Sequence, residues 1–188
     1  MSRNRSNSPT SLLHRSLLRI VKIQFIFIAL LAGQIVVFDA WQLITPEAAL
    51  KRWIAVGVLF GLTTVIWYIL SGRKHSKPQL HSLVWWLIAA DILFASYYVY
   101  LGRGVASKSV ALYAIPITIS AILLSRRALV STALLCSSAY LVAVMAYATL
   151  HFNEGYKIER YGEIFFFAGV MLVLAAMLGT MAKIKKRL

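Results

Sequence analysis

The amino-acid sequence predicts an all-α, polytopic membrane protein with six transmembrane helices and both termini in the cytoplasm. Of its 188 residues, 60% are hydrophobic and only 14% are charged, and the mean hydropathy is +0.75. A soluble domain has roughly 45–50% apolar and about 25% charged residues. Because a water-soluble fold could not bury so much apolar surface, we expect lipid to be the main solvent of this chain.

Long apolar runs separated by short polar segments divide the chain into six candidate spans. A helix needs roughly 20 residues to cross the hydrocarbon core of a bilayer. The predicted spans are about 23–44, 53–70, 83–101, 109–125, 128–150 and 164–182. We expect one transmembrane domain over residues 17–182, a flexible basic cytoplasmic tail over residues 1–16 and a basic cytoplasmic end over residues 183–188.

The distribution of Lys and Arg predicts the orientation of these spans. Fourteen of the 20 basic residues fall on the side of the two termini, and the other six fall on the opposite side. Loops rich in Lys and Arg stay in the cytoplasm, so both termini are expected there, in the inner membrane of the cell. Tyrosines near the outer ends of spans, such as Tyr97, Tyr98 and Tyr113, are expected in the aromatic belt at the outer interface.

Two acids lie within predicted spans. Asp91 is near the middle of the third span, where a charged group costs roughly 2.5–3.5 kcal/mol and faces the protein interior. It is a candidate ligand, ion or proton site, or a switch element. The structural alternative is a hydrogen bond to a hydroxyl on another span, from Ser120, Ser137 or Thr118. Asp39 lies closer to the end of the first span, from which its carboxyl can reach the outer interface.

Proline and small residues predict how the helices bend and pack. Pro116 lies inside the fourth span, where its missing N–H and its ring are expected to bend the helix. Small residues one turn apart let helices approach closely, although such pairs are common in membrane helices by chance. The pairs expected to serve this purpose are Gly57 with Gly61 and Ala175 with Gly179.

The outer loops carry Arg103, Lys108, His151 and Arg160 as candidate contact residues. The loops are too short for a folded external sensor domain. A stimulus would therefore be a lipid, a small molecule between helices, the state of the bilayer or a partner membrane protein. The alternative is that these side chains are ordinary solvated loop charges.

No pattern typical of an enzyme is present. The four histidines do not have the close spacing of a metal set, and there is no glycine-rich phosphate loop or nucleophile elbow. We therefore expect no catalysis, no metal and no cofactor. The net charge of +14 is assigned to topology and anionic lipid, and we expect no nucleic-acid partner.

A family resemblance is carried by the region around the third and fourth spans. Its segments are Asp91-Ile-Leu, Tyr97-Tyr-Val-Tyr, Gly102-Arg-Gly-Val-Ala-Ser-Lys-Ser, Leu112-Tyr-Ala-Ile-Pro-Ile and Ser125-Arg-Arg-Ala. Together they resemble the six-span membrane input region of bacterial sensor histidine kinases of the pilus-transcription-sensor type. The resemblance implies a sensory role in two-component signalling.

The family pattern continues, after its sixth span, into a dimerising helix with a phosphoacceptor histidine and an ATP-binding domain. Here only residues 183–188 follow the last predicted span, so kinase activity is not expected of this chain. The leading hypothesis is a sensory module, homodimeric and acting with a separate kinase or response partner. The alternatives are a small permease or channel-like subunit using Asp91 in a polar path, and an assembly or scaffold subunit of a membrane complex.

The C-terminal end also has two interpretations. No Gly, Asn or Pro follows Gly179, and Lys and Arg suit a helix C-terminus. The sixth helix is therefore expected to leave the membrane unbroken, either as a rigid output rod or as a basic anchor at the interface.

Overall fold

The computed structural model describes the backbone of residues 9–72, 75–151 and 158–185, and every secondary-structure element in this part of the chain is helical. The predicted all-α class is thereby confirmed. The helices are α1 (Pro9–Ala40), α2 (Pro46–Leu70), α3 (Lys77–Leu101), α4 (Ala114–Leu123), α5 (Arg126–Leu150) and α6 (Ile158–Lys185), with two 3₁₀ helices at Gly104–Ala106 and Lys108–Tyr113. The chain divides into two compact units, Met1–Leu87 and Ile88–Leu188, and the boundary lies within α3.

Helix α1 begins much earlier than the sequence predicts. A flexible tail is predicted over residues 1–16, but α1 starts at Pro9. Proline suits the first helical position because its fixed φ is already helical and no N–H is needed there. Leu17 and Val21 are fully buried, and His14 bonds to the carbonyl of Leu70 in α2. These contacts hold the basic segment in a helix, so residues 9–16 do not belong to a flexible tail.

Helices α1 and α2 form an antiparallel hairpin with a regular buried seam. The start of α1 lies beside the end of α2, as the bond from His14 to Leu70 shows. Buried residues recur at alternating spacings of three and four, the pattern of helices that pack along one stripe. The seam on α1 is Leu17, Val21, Gln24, Ile28, Leu31 and Ile35, and that on α2 includes Val56, Leu59, Thr63, Ile66 and Leu70.

The turn between α1 and α2 is formed by residues that favour a helix end and a helix start. Gln42 has a left-handed φ of 54°. Thr45 caps α2, since its hydroxyl accepts a bond of 3.3 Å from the N–H of Ala48, and Pro46 is the first helical residue. The Lys51 ammonium lies 2.7 Å from the Glu47 carboxylate in the first turn of α2. The first span therefore ends at Ala40 as a helix, four residues before the predicted boundary.

The turn after α3 depends on glycine. Arg103 and Gly104 both have positive φ, 71° and 64°. Gly104 is buried, and a Cβ built there would lie 3.2 Å from Cδ1 of the Tyr147 ring. Only glycine combines this backbone conformation with so close an approach to a neighbouring ring.

The fourth span is not a single α-helix. It begins as the 3₁₀ helix Lys108–Tyr113 and continues as α4, Ala114–Leu123. Pro116 is the third residue of α4, in the first turn, where the missing N–H leaves no α-helical bond broken inside the helix. A change of helix type thus lies just before Pro116, and the bend at Pro116 stays a prediction.

Helices α5 and α6 pack through small residues. Ser125 caps α5, because its hydroxyl accepts a bond of 3.3 Å from the N–H of Ala128. Ala175 is buried, and a Cβ built on Gly179 would lie 3.5 Å from Cδ2 of Leu129, an ordinary packing distance. A small residue at position 179 of α6 thus lets the Leu129 side chain of α5 approach closely.

Five of the helices in the described part, α1, α2, α3, α5 and α6, are long and apolar enough to cross a membrane. A sixth, shorter apolar stretch covers Lys108–Leu123. Large apolar side chains are widely exposed, among them Leu30, Leu93 and Phe165. Lipid can cover such surfaces, and the chain is a multi-pass membrane protein.

Candidate functional site

The intramembrane carboxyl of Asp91 lies inside the second unit. Its residue is only 3% exposed, and Ala90, Ile92 and Ala95 beside it on α3 are buried as well. The thiol of Cys136, in α5 of the same unit, is also fully buried. An acid in this position faces protein, as expected of a costly intramembrane charge.

The three hydroxyls expected to bond with Asp91 have other contacts. Thr118 donates to the carbonyl of Ala114 at 2.7 Å, which is a bond within its own helix. Ser137 lies 3.5 Å from the carbonyl of Ala168 in α6. Ser120 Oγ lies 3.1 Å from Oγ1 of Thr132 in α5, and both residues are fully buried. These contacts tie α4, α5 and α6 together.

A second polar contact connects α3 to the 3₁₀ helix that opens the fourth span. The phenol oxygen of Tyr113 lies 2.8 Å from Ser96 Oγ, and Ser96 Oγ also lies 2.8 Å from the carbonyl of Ile92. A carbonyl can only accept, so the single hydroxyl hydrogen of Ser96 goes to Ile92 and Tyr113 donates to Ser96. The two bonds form a short directed chain, Tyr113 to Ser96 to Ile92.

Tyr140 extends this core toward α6. Its ring meets the rings of Tyr113 and Phe167 edge to face, at centroid distances of 6.2 and 6.1 Å. Tyr140 is 1% exposed, and its hydroxyl has no hydrogen-bond partner among the residues that the structure describes. Burying a hydroxyl without a hydrogen-bond partner lowers the free energy of unfolding by about 1–3 kcal/mol. A phenylalanine ring could fill this position equally well, so packing alone does not explain the hydroxyl.

The tyrosines depart in part from the sequence-based expectation. Tyr113 is predicted in the outer aromatic belt but is fully buried, and Tyr98 is only 7% exposed, whereas Tyr97 is 39% exposed. Tyrosine has an apolar ring and a polar tip, and therefore fits either the interface or a core that offers a partner. The partner of Tyr113 is Ser96, which directly follows the fully buried Ala95 on α3. A serine hydroxyl within an apolar span is the feature of the sequence that could have indicated this partner.

The outer-loop candidates do not form one cluster of charges. Arg103 and Lys108 are exposed, and the side chain of Arg160 lies outside the described part. His151 instead belongs to an aromatic group, stacked on Tyr147 at 4.3 Å and edge-on to Tyr100 at 6.4 Å. It also forms a 3.1 Å bond between Nδ1 and the carbonyl of Tyr147, at the end of α5.

The remaining candidates lie in the first unit and are exposed. Asp39 lies in the last turn of α1, four residues beyond Ile35, the last residue of the buried seam on this helix, and is exposed. A Cβ built on Gly57 or Gly61 would meet no atom within 4 Å. The predicted close packing at these two glycines is therefore not made by the described helices of this chain.

The chemical resources of the second unit are thus one buried carboxyl, a buried thiol and a set of hydroxyls on α3, α4 and α5. Within the described ranges, no three His, Cys, Asp or Glu side chains come together as a metal site. These polar groups form a buried core, and the hydrogen bonds between them depend on the relative positions of the helices that carry them.

The sequence matches a family of membrane domains. The family model described as PilS-like transmembrane domain matches residues 7–187, almost the whole chain. No curated protein and no solved structure matches the sequence. The family is a six-span one, which agrees with five long apolar helices and a shorter sixth in the structure. The chain belongs to the PilS-like transmembrane domain family.

Proposed function

We propose that the chain is a membrane-embedded sensory input module that passes a signal between its helices to a partner. The observation that carries this proposal is the family match over residues 7–187. The polar core gives it a physical basis, because hydrogen bonds from Tyr113 to Ser96 and between Ser120 and Thr132 hold neighbouring helices in one arrangement. A stimulus that shifts a helix would have to exchange these bonds for others.

The orientation in this proposal has both termini in the cytoplasm of a cell with the chain in its inner membrane. The excess of Lys and Arg on the side of the termini supports it. The module acts as a homodimer, with a separate kinase or response protein as its cytoplasmic partner and without catalysis of its own. In this scheme the helices switch between two arrangements, and the partner protein responds to the change.

Helix α6 is the output element in this scheme. It is continuous from Ile158 to Lys185 and is about 42 Å long, more than the roughly 30 Å of a hydrocarbon core. A continuous helix transmits rotation or translation beyond the membrane, whereas a basic anchor would only hold the end at the interface.

An insertion series tests this function. Residues 1–188 are fused in helical register to a kinase dimerisation and catalytic core, and one to seven residues are inserted after Lys183. Kinase output should vary with a period near 3.6 residues, so that seven residues, close to two turns, restore what two residues disturb. The same insertions between Ser2 and Arg3 serve as the control. Output that ignores the insertion length at Lys183 would leave α6 as an anchor and contradict the proposal.

A transport function is the second candidate, and the burial of Asp91 favours it. Carboxyls within membrane helices mark ion and proton paths in many transporters. Purified chain in liposomes should then carry an ion or proton flux that Asp91→Asn abolishes. An absence of flux in wild-type liposomes leaves the sensory proposal as the better one.

A further inference from the structure

The first unit has a stripe of three cations at the end of the hairpin where α1 begins. Arg15, Arg19 and Lys22 are spaced four and three residues apart, and all three are exposed. At about 100° per residue they share one face of α1. We call this set the basic stripe. Leu17 and Val21, which belong to the buried seam, lie on the opposite face.

The basic stripe has no acid near it within its own unit. Residues 1–87 contain only two acids, Asp39 and Glu47, and both belong to the turn region at the other end of the hairpin. Lys22 and Asp39 are 17 positions apart on one helix, or about 25 Å, which exceeds the screening length of about 8 Å at physiological salt. Glu47 is already paired with Lys51 at 2.7 Å. The counter-charge for the stripe must therefore come from outside this unit.

The residues that follow the basic stripe on the same face of α1 indicate which kind of anion binds there. One turn further along α1, at four-residue spacing from Arg19 and Lys22, lie Ile23 and Ile26, which are 63% and 62% exposed, and Leu30 follows at 69%. The same face is thus cationic for about 10 Å and then apolar. A soluble anion would use only the cationic part, and an acidic protein surface would leave the apolar part uncovered. A phospholipid has its phosphate and its acyl chains in this order.

We propose that the basic stripe, together with the apolar face that continues from it, is a binding surface for anionic phospholipid. The phosphate group lies among Arg15, Arg19 and Lys22, where guanidinium groups donate paired hydrogen bonds to its oxygens. The acyl chains lie along Ile23, Ile26 and Leu30. This surface does not depend on a signalling role for the chain.

Native mass spectrometry of the full chain in neutral detergent tests the surface. Dioleoyl-phosphatidylglycerol and dioleoyl-phosphatidylcholine are titrated separately, and bound lipid is counted. The wild type should bind phosphatidylglycerol more tightly, and Arg15→Gln/Arg19→Gln/Lys22→Gln should weaken that binding about tenfold or more, given the loss of three surface cations. The matched control is Arg52→Gln/Arg103→Gln/Lys108→Gln, which removes the same net charge elsewhere and should leave the binding close to wild type.

Two further measurements decide between interpretations. Arg15→Lys/Arg19→Lys keeps the charge and should retain most of the binding, which also guards against a triple variant that fails to fold. Inorganic phosphate at millimolar concentration should not displace the lipid, because it cannot use the apolar face. Equal binding of the two lipids, an equal loss in the control variant, complete displacement by phosphate, or unchanged binding in the stripe variant would each overturn the proposal.

Discussion

The imidazole of His14 donates a hydrogen bond of 2.9 Å from Nε2 to the backbone carbonyl of Leu70. The carbonyl belongs to the last turn of α2, where the final four carbonyls have no partner within the helix. The His14 ring also stacks with that of His75, with centroids 5.7 Å apart. The His14 side chain, near the start of α1, thus supplies a hydrogen-bond donor to a carbonyl at the end of α2.

Replacing His14 should weaken the hairpin measurably. We expect His14→Ala to lower the free energy of unfolding by about 1 kcal/mol, because the Leu70 carbonyl loses its donor. His14→Gln retains an N–H donor and should lose less. Thermal unfolding in detergent, followed by tryptophan fluorescence, measures both. The control is His81→Ala, since His81 contacts the carbonyl of Lys77 within its own helix; equal losses in His14→Ala and His81→Ala would contradict the prediction.

Asp91 should tolerate amidation better than an apolar replacement. Asp91→Asn keeps a polar group of the same shape, whereas Asp91→Leu leaves the groups around it without a polar neighbour, at a cost of about 1–3 kcal/mol. Unfolding in detergent should show this order. Asp39→Leu is the matched control, because Asp39 is exposed at the end of α1 and should tolerate the change. An Asp91→Leu variant as stable as wild type would indicate a carboxyl that faces lipid or a pore.

The two buried tyrosines should respond differently to loss of the hydroxyl. Tyr113→Phe removes the donor to Ser96 and should cost about 1 kcal/mol. Tyr140→Phe removes a hydroxyl that has no partner among the described residues, so stability should be unchanged or slightly higher. Each variant is the control for the other, since both rings stay in place. A larger loss for Tyr140→Phe would reveal a partner for that hydroxyl, such as water or a ligand.

The two pairs of small residues should separate packing within the chain from packing between copies. Gly179→Leu should destabilise the fold by about 1–3 kcal/mol, because Leu129 already lies against that position. Gly57→Leu/Gly61→Leu should leave unfolding unchanged, since a Cβ at either position meets open space. Cross-linking in membranes then reports on the proposed homodimer. A loss of the fold itself in Gly57→Leu/Gly61→Leu would contradict this placement.

Topology can be tested by reporter fusions along the chain. Fusions after Lys77, Arg127 and Leu188 should report the cytoplasm, and fusions after Ser107 and Asn153 should report the outside. The reason is the concentration of Lys and Arg on one side of the membrane. An external signal from the Leu188 fusion would contradict six spans with both termini inside.

The sequence was informative where a single physical property dominates. Hydropathy predicts the helical class, because a backbone in lipid must satisfy its hydrogen bonds internally. The burial of Asp91 follows from the cost of a charge in hydrocarbon. Both expectations depend on the solvent rather than on particular neighbours.

The features that were missed depend on contacts between distant parts of the chain. The early start of α1 depends on Leu17 and His14 meeting α2, which a polar, basic composition does not reveal. The burial of Tyr113 depends on Ser96, 17 positions earlier. Gln24 is only 3% exposed although it is polar, and its place on the seam is visible only once the partner helix is known. Tertiary contacts of this kind override local preference.

The mixed helix of the fourth span has a consequence for how few residues can traverse a bilayer. A 3₁₀ helix rises about 2.0 Å per residue and an α-helix about 1.5 Å. The six 3₁₀ residues and ten α-helical residues of Lys108–Leu123 therefore extend about 27 Å, against about 24 Å for the same stretch as α-helix alone. Stretching the first part brings a segment that is short by residue count close to the thickness of the hydrocarbon core. Conversion of that part to α-helix would shorten the segment by about 3 Å, so its membrane reach is adjustable without a change in residue number.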